Sequence, residues 1–324
     1  MRPVPQRSLI LFLTAAALLL VLAPFAMRPR GVPLSVSPKI ERRVLLLPLD
    51  SRPPCLDFVS DLGRIAGVEI IAPPEELLDY YTKPGDPAAL KAWTKENIVG
   101  CDYALLSVDQ LLHGGLLASR EDQKTPADDD ALLSFLRDLH ESHPAIPLYA
   151  FHILPRLTPP DSISGYEERK ALMAYSRLTD QIDLQTIPAA DDIAEQQALQ
   201  ATIPAESLRR YEKLFAHNAR LNRALIDLAA DGTLTRLIIG QDDGERYGIP
   251  NRERRRLLDY LRQRRIDDNH VFFTHGADEI AQTLLAAVEA ERDSFVPRIA
   301  IRYNDPAAPW RHLPYMAADM ESSA

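Results

Sequence analysis

From Arg43 onward the chain repeats one pattern, in which a short apolar run stops at a polar turn and a segment of helical periodicity follows. Apolar runs bounded by turn residues read as buried strands; apolar positions three and four apart read as one face of a helix. Residues 44–49 form the first such run, ending at Asp50-Ser51-Arg52-Pro53-Pro54, and 58–65 has helical spacing. Residues 68–71 are a second strand closed by Pro73-Pro74, with helices expected over 75–81 and 90–98. A third strand, 103–108, ends in Asp109, and the helix over 128–140 opens on acids, which suit the positive end of its dipole. Residues 148–154 run into Pro155-Arg156, and long amphipathic helices are predicted over 166–183 and 206–228. The second of these carries Tyr211, Leu214, Phe215, Asn218, Leu221, Asn222 and Leu225 at helical spacing. A fifth strand, 237–240, stops at Gln241-Asp242-Asp243-Gly244 and precedes a basic helix reaching Arg265. Residues 271–273 lead to His275-Gly276-Ala277-Asp278-Glu279, 280–292 is helical, and 298–303 reads as a seventh strand.

Strand and helix alternate throughout, with no internal repeat, which predicts a mainly parallel α/β sheet over residues 36–304 and an irregular tail over 305–324. Seven strands fit either a doubly wound sheet or most of an eight-stranded barrel, and a TIM-barrel-like, if incomplete, arrangement is the expectation.

In a parallel sheet every strand's carboxyl end faces one rim, where such folds gather ligands. The rim would hold Asp50 and Arg52, Asp109 and His113, His152 and Arg156, Gln241 with Asp242 and Asp243, and His275 with Asp278 and Glu279. Adjacent carboxylates in one cleft can be driven apart by repulsion and desolvation, one protonated and one ionised, as general acid/base chemistry requires. A glycoside-processing site needs such a pair, donors for sugar hydroxyls and an aromatic platform. Asp242 and Asp243 supply the pair, Arg52, Arg156, Gln241 and His152 the donors, and Tyr80, Tyr81 or Tyr247 the platform. Plainer readings stand beside these. Asp242-Asp243-Gly244 also makes a solvated turn, Asp109 a helix cap, and Asp50 a partner for Arg52. Arg120 and Arg156 serve equally as structural ion-pair partners, Gly114-Gly115 as a tight turn, and Asp278 as first-turn charge.

Ahead of the α/β pattern, Arg2 and Arg7 precede an apolar run over 9–26, and Arg28 and Arg30 follow it. This reads as an export segment over 1–35, either a cleaved signal peptide or a retained membrane anchor, with the remainder outside the cytoplasm. A net charge of −9 argues against nucleic-acid binding. The dense arginines at 252–256 and 262–265 flank Leu257, Leu258 and Leu261, as on the solvated face of a helix. Two cysteines, Cys55 and Cys101, give no metal-type spacing and leave open a disulfide or two free thiols. The sequence around His140 and His143 is one residue short of a zinc-protease motif, and no nucleophile elbow, phosphate loop or dinucleotide fingerprint occurs. No cofactor is expected.

Several segments together resemble the exported bacterial proteins of domain of unknown function family 4127. They are Leu47-Pro48-Leu49-Asp50-Ser51-Arg52-Pro53, Ser107-Val108-Asp109 with Gly114-Gly115-Leu116-Leu117-Ala118-Ser119-Arg120, Ile153-Leu154-Pro155-Arg156, Gln241-Asp242-Asp243 with Tyr247-Gly248, and Gly276-Ala277-Asp278-Glu279. The resemblance implies a longer carboxyl-terminal portion than this chain carries, so a truncated copy or fragment is expected. The paired aspartates are also similar to those of O-GlcNAcase-type N-acetylglucosaminidases, where one acid orients the substrate's acetamido group and the other protonates the leaving oxygen.

These observations lead to an extracytoplasmic hydrolase of a carbohydrate or amino sugar, with Asp242 and Asp243 catalytic. Its substrate would be held by Asp50, Arg52, Asp109, Gly114, Gly115, Arg120, His152, Arg156, Gln241, Tyr247 and Asp278. The alternatives are a non-catalytic envelope glycan- or partner-binding protein and a divalent-metal hydrolase using Asp50, Asp109, Asp242 and His275.

Overall fold

A computed structural model describes residues 39–121, 124–267, 269–312 and 316–320. Six strands form one sheet: β1 (Arg42–Leu47), β2 (Val68–Ile71), β3 (Tyr103–Ser107), β4 (Leu148–Leu154), β5 (Arg236–Gln241) and β6 (Val271–His275). Every pairing is parallel, in the order β2-β1-β3-β4-β5-β6. Helix α1 (Asp57–Ala66) joins β1 to β2, and α2 (Pro87–Asn97) joins β2 to β3. Short α3 (Val108–His113) and α4 (Leu116–Ser119) precede α5 (Pro126–Ser142) between β3 and β4. Between β4 and β5 lie α6 (Tyr166–Asp183), α7 (Ala190–Thr202) and α8 (Ala205–Ala230); α9 (Ile249–Arg264) joins β5 to β6, and α10 (Ile280–Arg292) follows. Local chemistry starts these helices where the sequence says it should. Asp86 accepts from the amides of Ala88 and Ala89 at the start of α2, and Thr125 and Asp128 form a reciprocal capping box before α5.

Side chains alternate across each strand. Leu45, Leu47, Ala104, Leu106, Leu237 and Ile239 therefore face one side, packed by Leu90, Leu136, Leu225 and Leu257 from α2, α5, α8 and α9. Val44, Leu46, Leu105, Phe151 and Ile238 face the other, beneath Val59 of α1 and Leu284 and Leu285 of α10. Full burial of each such side chain stabilises by about 1.5–3 kcal/mol. The chain leaves β1 onto the α1 face and leaves β3 onto the opposite face, so the carboxyl ends of these neighbouring strands flank a crevice.

The parallel α/β sheet is as expected, but the barrel-like closure is not. Strands of a barrel follow one another round a ring, whereas here β1 lies between β2 and β3, and among the described residues β2 and β6 each pair on one side only. This is a doubly wound order. The seventh strand expected over 298–303 is absent from the described sheet; Ile299 and Ile301 stay 82% and 52% exposed. Without a partner strand their backbone has no ladder to join. Over 75–81 only a 3-10 turn forms, Glu75–Leu77, because Tyr80 and Lys83 close a separate tight turn through reciprocal backbone hydrogen bonds. The tail is not wholly irregular, since Ala308–Trp310 form a 3-10 turn and His312 bridges to Asp319. The export segment expected over 1–35 lies outside the described residues; no helix among the described residues is long and apolar enough to cross a membrane.

Candidate active site

The rim residues fall into three groups. On the α1 face, buried Asp50 receives Arg52 Nε at 2.9 Å and Nη2 at 2.6 Å, and the same guanidinium reaches both carboxylate oxygens of Asp278 at 2.6 and 3.0 Å. Arg52 thereby ties the end of β1 to the loop after β6. The ligating atoms of Asp50, Cys55 and Asp278 lie within 4.8 Å of one another, but Arg52 already supplies the positive charge there. Asp50, Asp109, Asp242 and His275 do not converge within ligating distance among the described residues, so that expected metal set is not formed. Cys55 and Cys101 are buried free thiols, and burial pushes both pKa values up.

Asp79, on the turn after Glu75–Leu77, belongs beside this group and carried no sequence signal. Its carboxylate accepts from the Ser51 amide at 2.9 Å. Burial, with Asp50 close by, pushes its pKa up to about 6.

The second group lies under the ends of β3 and β4. Ser107, not Asp109, caps α3, by accepting from the Gln110 amide at 3.2 Å. Asp109 is fully buried, with Oδ2 accepting from the Ile153 amide at 3.1 Å and Oδ1 without a hydrogen bond. That Oδ1 lies 3.8 Å from His152 Nε2, and burial pushes the acid's pKa up. A chain of amides sets the imidazole. Asn218 Nδ2 donates to the Ile153 carbonyl at 2.9 Å, Asn222 Nδ2 donates to Asn218 Oδ1 at 2.8 Å, and Asn222 Oδ1 therefore faces His152 Nδ1 at 3.0 Å. Nδ1 then carries the proton, which leaves Nε2 facing Asn218 Nδ2 at 3.4 Å and, at 3.8 Å, Asp109. His113, at the end of α3, sits 6.0 Å from His217 ring to ring, and His217 pairs with Asp129 at 2.7 Å. Burial, reinforced by His152 and His217, holds His113 well below the usual histidine pKa, hence neutral near pH 7.

The third group follows β5. Asp242 is buried and ion-paired with Arg120, while exposed Asp243 lies 3.8 Å from Arg156 Nη1. Arg156 also lies 3.9 Å from Asp161, and burial followed by the neighbouring Arg120 pushes its pKa down. The two aspartates are thus adjacent, as expected, but each has its own guanidinium, so their mutual repulsion is offset. Asp243's amide donates to Asp242 Oδ1 at 2.9 Å, which orients the turn. Gln241 is taken up by Asn251 and, at 3.5 Å, by Arg254. His275 faces Arg254 at 3.4 Å, and Tyr247 stacks with Arg246 at 5.3 Å.

A cavity of about 470 Å³ opens beside His113 of the second group, lined by Thr82, Pro84, His113, Leu117, Glu121, Lys124 and Asp161 among others. Gly114 and Gly115 line an adjoining recess with Tyr81, Thr82 and Leu117. Gly114 (φ +79°) has Gly85 so close that an added Cβ would lie 2.6 Å from its carbonyl oxygen, and one on Gly115 would lie 3.0 Å from Asp79 Cγ. These glycines let two turns pack together. Asp50, Arg52 and Asp278 form one cluster, Asp109 and His152 a second, and Arg120, Arg156, Asp242 and Asp243 a third. The expected single pocket is therefore divided into neighbouring parts. Glu121, Asp129, Asp161, His217 and Arg254 were missed; the paired Asn218 and Asn222 on an otherwise apolar helix face were the one visible signal.

No curated protein and no solved structure matches the chain. A family model described as "Protein of unknown function (DUF4127)" matches residues 44–324, most of the chain and all of the clusters above, and the protein therefore belongs to that family.

Proposed function

We propose that the protein is an extracytoplasmic hydrolase of a carbohydrate, with an amino sugar of the cell envelope as its substrate. The observation that carries this reading is the asymmetry of the aspartate pair after β5: Asp242 is buried and held by Arg120, whereas Asp243 is exposed and only loosely engaged by Arg156 at 3.8 Å. A held carboxylate suits orientation of an acetamido group. An exposed one is open to the leaving oxygen of a bound glycoside, the contact that proton delivery needs as the glycosidic bond breaks. The location outside the cytoplasm rests on the apolar run at 9–26 and its flanking arginines. The test is hydrolysis of aryl N-acetylhexosaminides and muropeptides by the full chain and by Asp243→Asn. Turnover that the substitution abolishes supports the reading, and equal turnover by both discards it.

A second reading, glycan binding without turnover, is favoured by the arginine partner that each carboxylate already has. It requires saturable binding to survive simultaneous Asp242→Asn and Asp243→Asn substitution.

A further inference from the structure

We infer that the cavity at the end of β3 is a subsite for one uncharged pyranose unit, with Tyr81 as its stacking platform and His113 as the hydrogen-bonding group for a ring hydroxyl. This rests on the carbohydrate reading above and adds to it the unit recognised.

Tyr80 and Tyr81 stand 81% and 78% exposed on the turn that delivers Thr82 and Pro84 to the cavity. Tyr81 does not line the cavity itself but borders the adjoining recess, too narrow to hold a water molecule, that shares Thr82, Pro84, Leu117 and Ala118 with it. Its φ is +53°, a region that a bulky side chain rarely adopts and that glycine occupies without cost. The reciprocal bonds of Tyr80 and Lys83, at 2.9 and 3.0 Å, pin the turn in this form. A strained backbone that holds an apolar ring in water is the pattern expected where the ring has a ligand to meet.

His113 lines the same cavity, and among the described residues its ring makes no hydrogen bond. A neutral imidazole has one donor and one acceptor, and a sugar hydroxyl answers either. The charged lining is Glu121 and Asp161 against Lys124, and Arg210 lies 3.5 Å from Glu121 and Arg169 3.5 Å from Asp161, so the site has no cluster of one sign to select a charged ligand. The volume, about 470 Å³, lies within the range of small-molecule sites.

The test is calorimetric titration of the full chain with chitobiose, using glucuronate as the charged comparison. The wild type is expected to bind chitobiose saturably and glucuronate weakly. Tyr81→Gly, which suits the left-handed φ, is expected to weaken binding about tenfold without lowering the melting temperature. His113→Phe is expected to weaken it similarly. No chitobiose binding, a preference for glucuronate, or unchanged binding by Tyr81→Gly overturns the inference. Binding that follows this pattern without any hydrolysis removes the hydrolase reading and keeps the subsite. Hydrolysis whose KM is unchanged in both Tyr81→Gly and His113→Phe removes the subsite and keeps the hydrolase.

Discussion

Asp79→Asn should make the protein more stable near neutral pH, although it removes a charged residue that accepts a hydrogen bond. The Asp79 carboxyl, ordinarily near 3.8, is pushed up to about 6 by burial and by Asp50. The folded chain then binds this proton more tightly than the unfolded chain does. The group's contribution is fully present below pH 3.8 and is lost as pH rises through about 6. The displacement corresponds to ~3 kcal/mol before screening, and the half-buried side chain leaves ~1 kcal/mol after it. Asparagine keeps an oxygen for the Ser51 amide, now at 2.9 Å, so the hydrogen bond survives while the cost of burying charge disappears. The gain should raise the melting temperature by about 2–4 °C at neutral pH and shrink to nothing near pH 4. Thermal unfolding of both proteins across this window decides the matter. A variant no more stable than wild type at neutral pH, or a gain that persists unchanged in acid, would refute the argument.

Two further outcomes follow from the rim geometry. Gly114→Ala combines φ +79° with a Cβ 2.6 Å from a backbone oxygen, and should cost ~2–4 kcal/mol. Gly232→Ala, at φ +86° with open space around it, should cost only ~1 kcal/mol; denaturant midpoints that rank the pair the other way would contradict the packing assigned to Gly114. Arg52→Ala leaves the buried carboxylate of Asp50 without its cation and should cost ~3 kcal/mol, whereas Asp278→Ala, which leaves Arg52 on Asp50, should cost under ~1 kcal/mol. Equal losses in urea unfolding would show that Asp50 does not depend on Arg52.

The alternation of apolar runs with helical segments was enough to read the parallel sheet, because strands buried on both faces read as nearly continuous apolar runs: all seven residues of β4 are buried, and only His152 and the hydroxyl of Tyr149 break its apolar character. Closure was not legible in that pattern. Whether β1 lies beside β3 or at one end of the sheet depends on which face each crossing helix takes, and both faces demand the same leucines. The run at 298–303 shows the converse limit, since alternation specifies a strand only where a neighbouring edge accepts it. For the site, adjacency in sequence carried Asp242 with Asp243 and Asp50 with Arg52. Contacts that span the fold were silent, among them Arg52 with Asp278, Arg120 with Asp242, and His152 with Asn222. Asp79 was lost inside a segment whose acids suggested a helix.

The buried polar cluster between β3, β4 and α8 stands apart from the aspartate pair and poses a question of its own. Asp109, Gln110, His113, His152, His217, Asn218 and Asn222 are all buried next to leucine-rich layers. Asp109 Oδ1 and both polar atoms of the Gln110 side chain have no hydrogen bond, and each such orphan costs ~1–3 kcal/mol. Apolar residues of similar volume would remove those costs, so stability alone gives no reason for this composition. Yet Asn218 and Asn222 are engaged fully enough to fix the proton of His152, and neutral His113 reaches the cavity wall. One part of the cluster is over-determined and another left unsatisfied, a combination that packing and stability alone do not select.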